Sequence, residues 1–228
     1  SEYQMFLQRP YAVREIAPDR SLGFQVSGSM RWFSYYAGVF NGGGDFYQGD
    51  NNDGMLYSVR VEAHPFGPMP AGEVTQPDGI RLQVAGSYYF NQDAAGDRHA
   101  VSAELGFIWT RLSIRGEFLW STFSPSGNPV TSEGVEYGNT ERMGWYAEAG
   151  VFIINEHLQV AVRYGAQRIM ESEFEVEDLY DLWTISGAIN AFVLQGRIKL
   201  SLAYEHRHEW FDPQVDNDYL AIQVQGRI

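Results

Sequence analysis

Tyr219-Leu-Ala-Ile-Gln-Val-Gln-Gly-Arg-Ile228 sorts its side chains by parity: Leu220, Ile222, Val224 and Ile228 fall on even positions, Ala221, Gln223, Gln225 and Arg227 on odd ones. Successive side chains of a β-strand point to opposite faces, so this stretch is a ribbon with one apolar and one polar face. The alternation continues upstream. Leu22–Ser27 and Phe33–Val39 form one pair of ribbons around a tight turn at Gly28-Ser29-Met30. Met55, Tyr57, Val59, Val61 and Ala63 alternate with Ser58, Arg60, Glu62 and His64. Further ribbons follow at 80–90, 101–109, 112–121, 145–153, 158–167, 183–191 and 198–205. With the closing strand this predicts eleven strands, and a twelfth is expected at Tyr3–Arg9.

Composition narrows what such ribbons build. No run approaches the roughly 18 apolar residues of a membrane helix. A membrane barrel, however, hides its hydrophobicity in alternation. Aromatic residues make up 15% of the 228, which suits the interfacial girdles of such barrels. The absence of cysteine removes disulfide frameworks and thiolate metal sites. A net charge of −13 argues against a nucleic-acid partner. No linker or composition shift divides the chain, so residues 1–228 read as one domain.

Connection lengths point the same way. Short turns at 29–31, 110–111, 154–156 and 194–196 alternate with longer polar loops at 41–54, 91–97, 123–141, 168–181 and 207–218. Short turns on one side and long loops on the other are the habit of outer-membrane barrels. The Pro- and Gly-rich stretch 66–79 is the exception on the short side. A soluble sandwich also alternates, but its strands average about 5–6 residues. The expected fold is therefore all-β: a transmembrane antiparallel up-and-down β-barrel of about 12 strands, in the cell outer membrane.

The polar parity carries Arg60, Arg81, Arg115, Arg163, Arg197, Lys199 and Arg227 against Glu62, Glu104, Glu117, Glu148 and Glu205, a balance of +2. The remaining residues then hold −15, concentrated in loops such as Glu171–Asp181. Arginine outnumbers lysine 15 to 1, and guanidinium favours planar contacts with phosphate or carboxylate. One reading is a water-filled lumen whose arginines attract small anions. The other is that Arg–Glu pairs, Arg60 with Glu62 or Arg115 with Glu117, neutralise one another and fill a narrow interior. The parity leaves both open.

Pro18-Asp-Arg20-Ser-Leu-Gly23-Phe-Gln-Val-Ser-Gly28, then Phe33-Ser-Tyr-Tyr-Ala-Gly-Val-Phe-Asn41-Gly42, resembles the phosphate-selective porin O/P family. There a P-x-R-x-x-G lead-in runs into a strand, a tight turn and a Y-x-x-G-V-F-N-G strand end. Tyr57-Ser-Val-Arg60-Val-Glu-Ala-His-Pro65-Phe-Gly67 is similar to that family's next strand and turn. Beyond it, the likeness is one of barrel pattern alone. The resemblance implies an outer-membrane porin, usually trimeric, of about sixteen strands, a normal count for porins. In that family the lead-in lies well inside the barrel, so the chain is expected to be part of such a barrel or a shorter relative. It ends in Ile228 where such barrels usually end in Phe, and loop 41–54 holds no Lys or Arg. The expectation is thus passive diffusion of small, anion-leaning solutes, with no cofactor. Expected partners are outer-membrane lipid and lipopolysaccharide, with a homotrimer or larger envelope complex as the assembly.

Other motifs add little. His64, His99, His157, His206 and His208 are scattered, and no Ser–His–acid arrangement is evident. His206 and His208 share a strand face and read as loop-base histidines rather than metal ligands. Gln48–Gly54 opens like a calcium loop, but the twelfth position from Asp50 is Val61 instead of Glu. Gly42–Gly44 lacks the strand-to-helix context of a phosphate cradle. The chain is therefore expected not to be an enzyme. A non-conducting structural barrel is the second reading, and a lipase-like barrel enzyme the third.

Overall fold

The computed structural model describes residues 5–6, 8–18, 21–42, 54–70, 76–93, 96–126, 138–172, 181–194, 196–210 and 218–226. A short helix, α1 (Tyr11–Ile16), precedes eleven strands: β1 (Gly23–Met30), β2 (Phe33–Phe40), β3 (Leu56–Ala63), β4 (Arg81–Asp93), β5 (Gly96–Trp109), β6 (Leu112–Pro125), β7 (Thr140–Ile154), β8 (Leu158–Ser172), β9 (Leu182–Val193), β10 (Ile198–Glu209) and β11 (Tyr219–Gly226). They form one sheet in sequence order, each antiparallel to the next. This is the expected up-and-down arrangement.

The middle strands are longer than the alternation predicted, 13 to 15 residues from β4 to β8. At about 3.3 Å per residue and a tilt near 40°, about 14 residues rise roughly 35 Å, enough to cross a hydrocarbon core of about 30 Å. They look shorter in sequence because their ends pass the apolar layer, where both faces turn polar.

Burial is inverted relative to a water-soluble sheet. The polar parity is inside: Gln159, Arg163, Gln167, Thr184, Ser186, Asn190 and Ser201 are all buried. The apolar parity is outside: Val59, Val84, Leu105, Val162, Ile185 and Leu202 are 44–58% exposed, although each sits mid-strand. Trp145, Tyr164 and Trp183 lie side by side on the outer face towards the long-loop end, ring centroids 5.5 and 5.9 Å apart. That row suits an interfacial girdle.

The expected twelfth strand is absent at Tyr3–Arg9: among its described residues (5, 6, 8 and 9) none is in a strand. The segment instead enters the concave side of the sheet. Met5 and Phe6 pack on Ala161, Ala188 and Ala203, near the short-turn end. Ala12 and Ile16 pack on Leu56, Tyr89, Ala100 and Leu119, towards the long loops. Reaching both β3 and β10 requires the sheet to curl around residues 5–17. Competition explains the failed prediction. Met5 and Phe6 can be buried inside, and Asn190, Arg163 and Tyr89 donate hydrogen bonds to the backbone oxygens of Met5 (2.9 Å), Gln8 (2.9 Å) and Ile16. Those donors take the place of a neighbouring strand.

Local chemistry shapes the insert. Pro10 sits at the N-cap of α1, and Ala17 is extended because it precedes Pro18. Ala12 and Ile16, four apart, share one helix face, and both are buried. Two glycines on the inner face of β7 admit the insert. A Cβ on Gly144 would stand 2.5 Å from Ala12 Cβ, and one on Gly150 would stand 2.5 Å from Met5 Sδ. A strand glycine commonly marks such a close approach.

Among the described residues the sheet does not close: β1 and β11 each pair with one neighbour. Eleven strands in strict antiparallel alternation leave β1 and β11 running in the same direction. Direct pairing of those edges would be parallel, and antiparallel closure needs an odd number of further strands.

Candidate functional site

The interior holds a cavity of about 410 Å³ between the insert and the wall of β3–β8. Gln8, Arg9 and Pro10 form one side, and Arg60, Glu104, Arg115, Glu117 and Glu148 stand on the other. A second cavity of about 180 Å³ lies at the long-loop end beside Glu15, lined by Arg98, Ser121, Phe123, Thr140 and Arg142.

Register explains why charges meet in the first cavity. Glu104 faces Glu117 across β5 and β6, Arg115 faces Glu148 across β6 and β7, and Glu148 faces Arg163 across β7 and β8. Directly opposed side chains lie about 5 Å apart at Cβ, so this is a belt of alternating charge with one like-charged step. Arg60 lies at its end. Its Nε donates to Glu62 Oε1 at 2.7 Å, while Nη1 and Nη2 engage both oxygens of Glu104, the latter at 2.8 Å. A fork-to-fork contact of this kind is the stronger form of Arg–carboxylate pairing.

The opposite wall is drier. Arg163 donates to Glu205 Oε2 at 3.1 Å and lies over the ring of Phe6, 4.3 Å from its centroid. Arg207 donates to Glu205 Oε1 at 2.9 Å, and Ser186 donates to Oε2 at 3.0 Å. Below them Asn190 donates to both Gln159 and the Met5 carbonyl and accepts from Ser201. Asn190 is 0% exposed and Gln159 1%, so this network fills the space.

The residues singled out from sequence therefore separate. Arg60, Glu62, Glu104, Arg115, Glu117, Glu148 and Arg163 come together around the large cavity. Arg81 opens β4 on the concave parity and donates to the Ile80 carbonyl beside it. Lys199 is buried near the short-turn end, 5.6 Å from the Phe192 ring centroid. Arg197 requires a correction. Its parity places it on the lumen face, but it lies exposed in the turn ahead of β10, because the strand begins only at Ile198. Arg227 falls outside the described residues.

Arg98, Arg142 and Arg207 were missed. All three sit on the concave parity but in stretches read as loops: 91–97 and its margin, 123–141 and its margin, and 207–218. Carrying the period of two outward from Glu104 through Ser102 and Ala100 would have reached Arg98.

Other motifs resolve variously. Ser34 and His64 meet across β2 and the end of β3, Oγ to Nε2 at 3.4 Å. Glu62 approaches the same ring nitrogen, also at 3.4 Å, and Nδ1 has no hydrogen-bond partner among the described residues. A nucleophile–base–acid relay requires the acid on the other nitrogen, so the order is wrong for one. His206 and His208 pack on Trp183 on the outer face, and no group of three metal-binding side chains occurs among the described residues. The glycine run and calcium-like turn lie almost wholly outside those residues.

No family model matches the chain, so the likeness to phosphate-selective porins rests on its motifs. No curated protein matches either. Among solved structures, the NanC porin superposes with a TM-score of 0.46 at 10% identity, covering 90% of this chain and 97% of that one. A likeness that distant carries no argument of its own, and the functional reading rests on the geometry.

Proposed function

We propose that the chain forms an outer-membrane β-barrel wall through which small polar solutes diffuse passively, along a lumen narrowed by residues 5–17. The inverted burial supports this most directly. A regular band of half-exposed Val, Leu and Ile covers the outer face, while glutamates, arginines and amides cover the inner one. Water-soluble monomers rarely expose continuous apolar patches beyond a few hundred Å². Strands can cross a bilayer only when their backbone groups are satisfied between neighbours. In this reading lipid and lipopolysaccharide meet the outer face, and the acidic loops face the exterior of the cell.

The path is the 410 Å³ cavity between the insert and the wall of β3–β8. Its charges are nearly balanced, which favours small polar solutes and weakens the anion lean expected from the arginine count. The filled β8–β10 side favours the second reading, a structural barrel that conducts nothing and anchors an envelope assembly such as a trimer. Conductance separates the two. Refolded protein in a planar bilayer is expected to open discrete, voltage-independent steps in potassium chloride. Folded protein that inserts without conducting would leave the structural reading standing.

A further inference from the structure

We infer that Met69, carried into the lumen where the chain leaves β3, sets the size limit for solutes at the short-turn mouth of the path. This inference rests on the channel reading and deepens it by naming the residue that sorts solutes there.

The Pro- and Gly-rich connection that breaks the pattern of short turns folds inward from its first residues. The Gly67 N–H donates to the His64 carbonyl at 3.0 Å, closing a tight turn with Pro65 at its second position. Gly67 has a φ of +93°, in the left-handed region that favours glycine. Pro68 and Pro70 then flank Met69. Pro68 fixes its own φ, and Pro70 pushes the residue ahead of it towards an extended backbone. Met69 is thus presented on a stiff stretch, so holding it in place costs little chain entropy.

The wall is notched to receive it. Cross-strand register sets Gln83, Gly106, Arg115, Glu148 and Arg163 in one row around the inner face, from β4 to β8. Of these five, only Gly106 projects no side chain. A Cβ there would stand 3.1 Å from Met69 Cε and 3.6 Å from Gln83 Cβ, so the thioether methyl lies in the gap that the glycine leaves. Gly106 is buried and Met69 half-buried, and both line the 410 Å³ cavity. Gly106 falls near the Trp109 end of β5, which places the contact on the short-turn side.

The remaining four positions of the row are polar or charged and suit a hydrated wall. Met69 adds an apolar group to it from across the mouth. Such a group offers a solute neither charge nor hydrogen bond, and an apolar constriction restricts passage by bulk and by dewetting. The unbranched thioether chain can swing between the notch and the path. Met69 therefore sorts by size and hydration, not by the sign of charge.

The test is single-channel conductance of refolded protein, with poly(ethylene glycol) of graded mass added on one side at a time to find the largest polymer that enters. Met69→Ala is expected to raise conductance about 1.3- to 2-fold and to raise the size limit for polymer added from the short-turn side. Gly106→Val fills the notch, drives the methyl into the path and should lower both. In Met69→Ala/Gly106→Val that loss should largely disappear, a rescue that a misfolded variant would not show. Wild-type conductance with an unchanged size limit in Met69→Ala overturns the inference alone. A size limit that shifts equally from both sides also overturns it, as does an equal loss from Gly106→Val with and without Met69. Absence of any current from folded wild-type protein overturns the channel reading itself.

Discussion

The inner faces of β3 and β9 obey the same alternation yet do opposite things. On β9 every inward side chain is buried, from Leu182 through Thr184, Ser186, Ala188 and Asn190 to Phe192. On β3 the inward Ser58, Arg60 and Glu62 stay half open, beside the large cavity. The difference lies in what faces them. Ala161, Ala188 and Ala203 on β8–β10, with Gly150 on neighbouring β7, leave room for Met5 and Phe6 to pack, and Gly144 admits Ala12 of α1. Midway along β3–β6 the long charged side chains leave a cavity between the wall and residues 8–10, whereas Ala12 and Ile16 pack on the long-loop ends of the same strands. Parity decides which side chains point inward, and side-chain length decides whether the inside is filled.

Removing the room should have the largest effect. Gly144→Val with Gly150→Val drives side chains into Ala12 and Met5, which already lie 2.5 Å from where a Cβ would stand. The insert is expected to leave its seat, erasing the contrast between the two walls. Single-channel conductance should then rise about twofold or more, following the freed cross-section. Conductance at the wild-type level from a correctly folded variant would show that the insert does not narrow the path.

A smaller effect is expected from Asn190→Leu. It strips partners from the Met5 carbonyl, Gln159 Oε1 and Ser201, all within a wall closed to water. Leaving buried polar groups unpaired costs about 1–3 kcal/mol, so the urea midpoint of unfolding from micelles should fall by a matching amount. An equal loss from Ser58→Ala, on the open β3 wall, would mean that the two walls are not energetically distinct.

The smallest effect concerns the rim. Asp218, just ahead of β11, accepts hydrogen bonds from the Tyr204 hydroxyl and from His206 at 2.7 Å. The Tyr204 hydrogen bond foremost, then that from His206, holds its carboxyl below the usual aspartate range. The sign follows: the tether is intact above about pH 4, the ordinary aspartate value, and weakens as pH falls through the lowered one. Hydrogen exchange at Tyr219 and Leu220 should accelerate in that acid window and not in the middle of β9. Uniform acceleration in both strands would remove any special role for Asp218.

Much of this was legible in the chain. The alternation at 55–63, 112–120 and 183–191 assigns strands, faces and the apolar exterior without any tertiary information. Seven charged residues of the large cavity were readable for the same reason, since a period of two puts Arg60 and Glu62, or Arg115 and Glu117, on one face. Arg98 and Arg142 were not. Past the apolar layer both faces of a strand turn polar, so alternation fades while the strand continues. Arg197 failed from the opposite side, its parity extended one residue past the start of β10.

The sequence by itself determined the repeating element, its two faces and the inversion of polar and apolar sides, because local backbone geometry sets all three. Three things depended on contacts between residues far apart in the chain. One was the fate of residues 5–17, whose weak alternation lost to burial of Met5, Phe6, Ala12 and Ile16. Another was the pairing of Arg60 with Glu104, 44 positions away, which adds a second carboxylate to the Glu62 that parity already sets on the same face. The last was the parallel sense of β1 and β11, which follows only from counting how many strands form. Parity is a property of neighbours, whereas filling, neutralisation and closure are properties of the curled sheet.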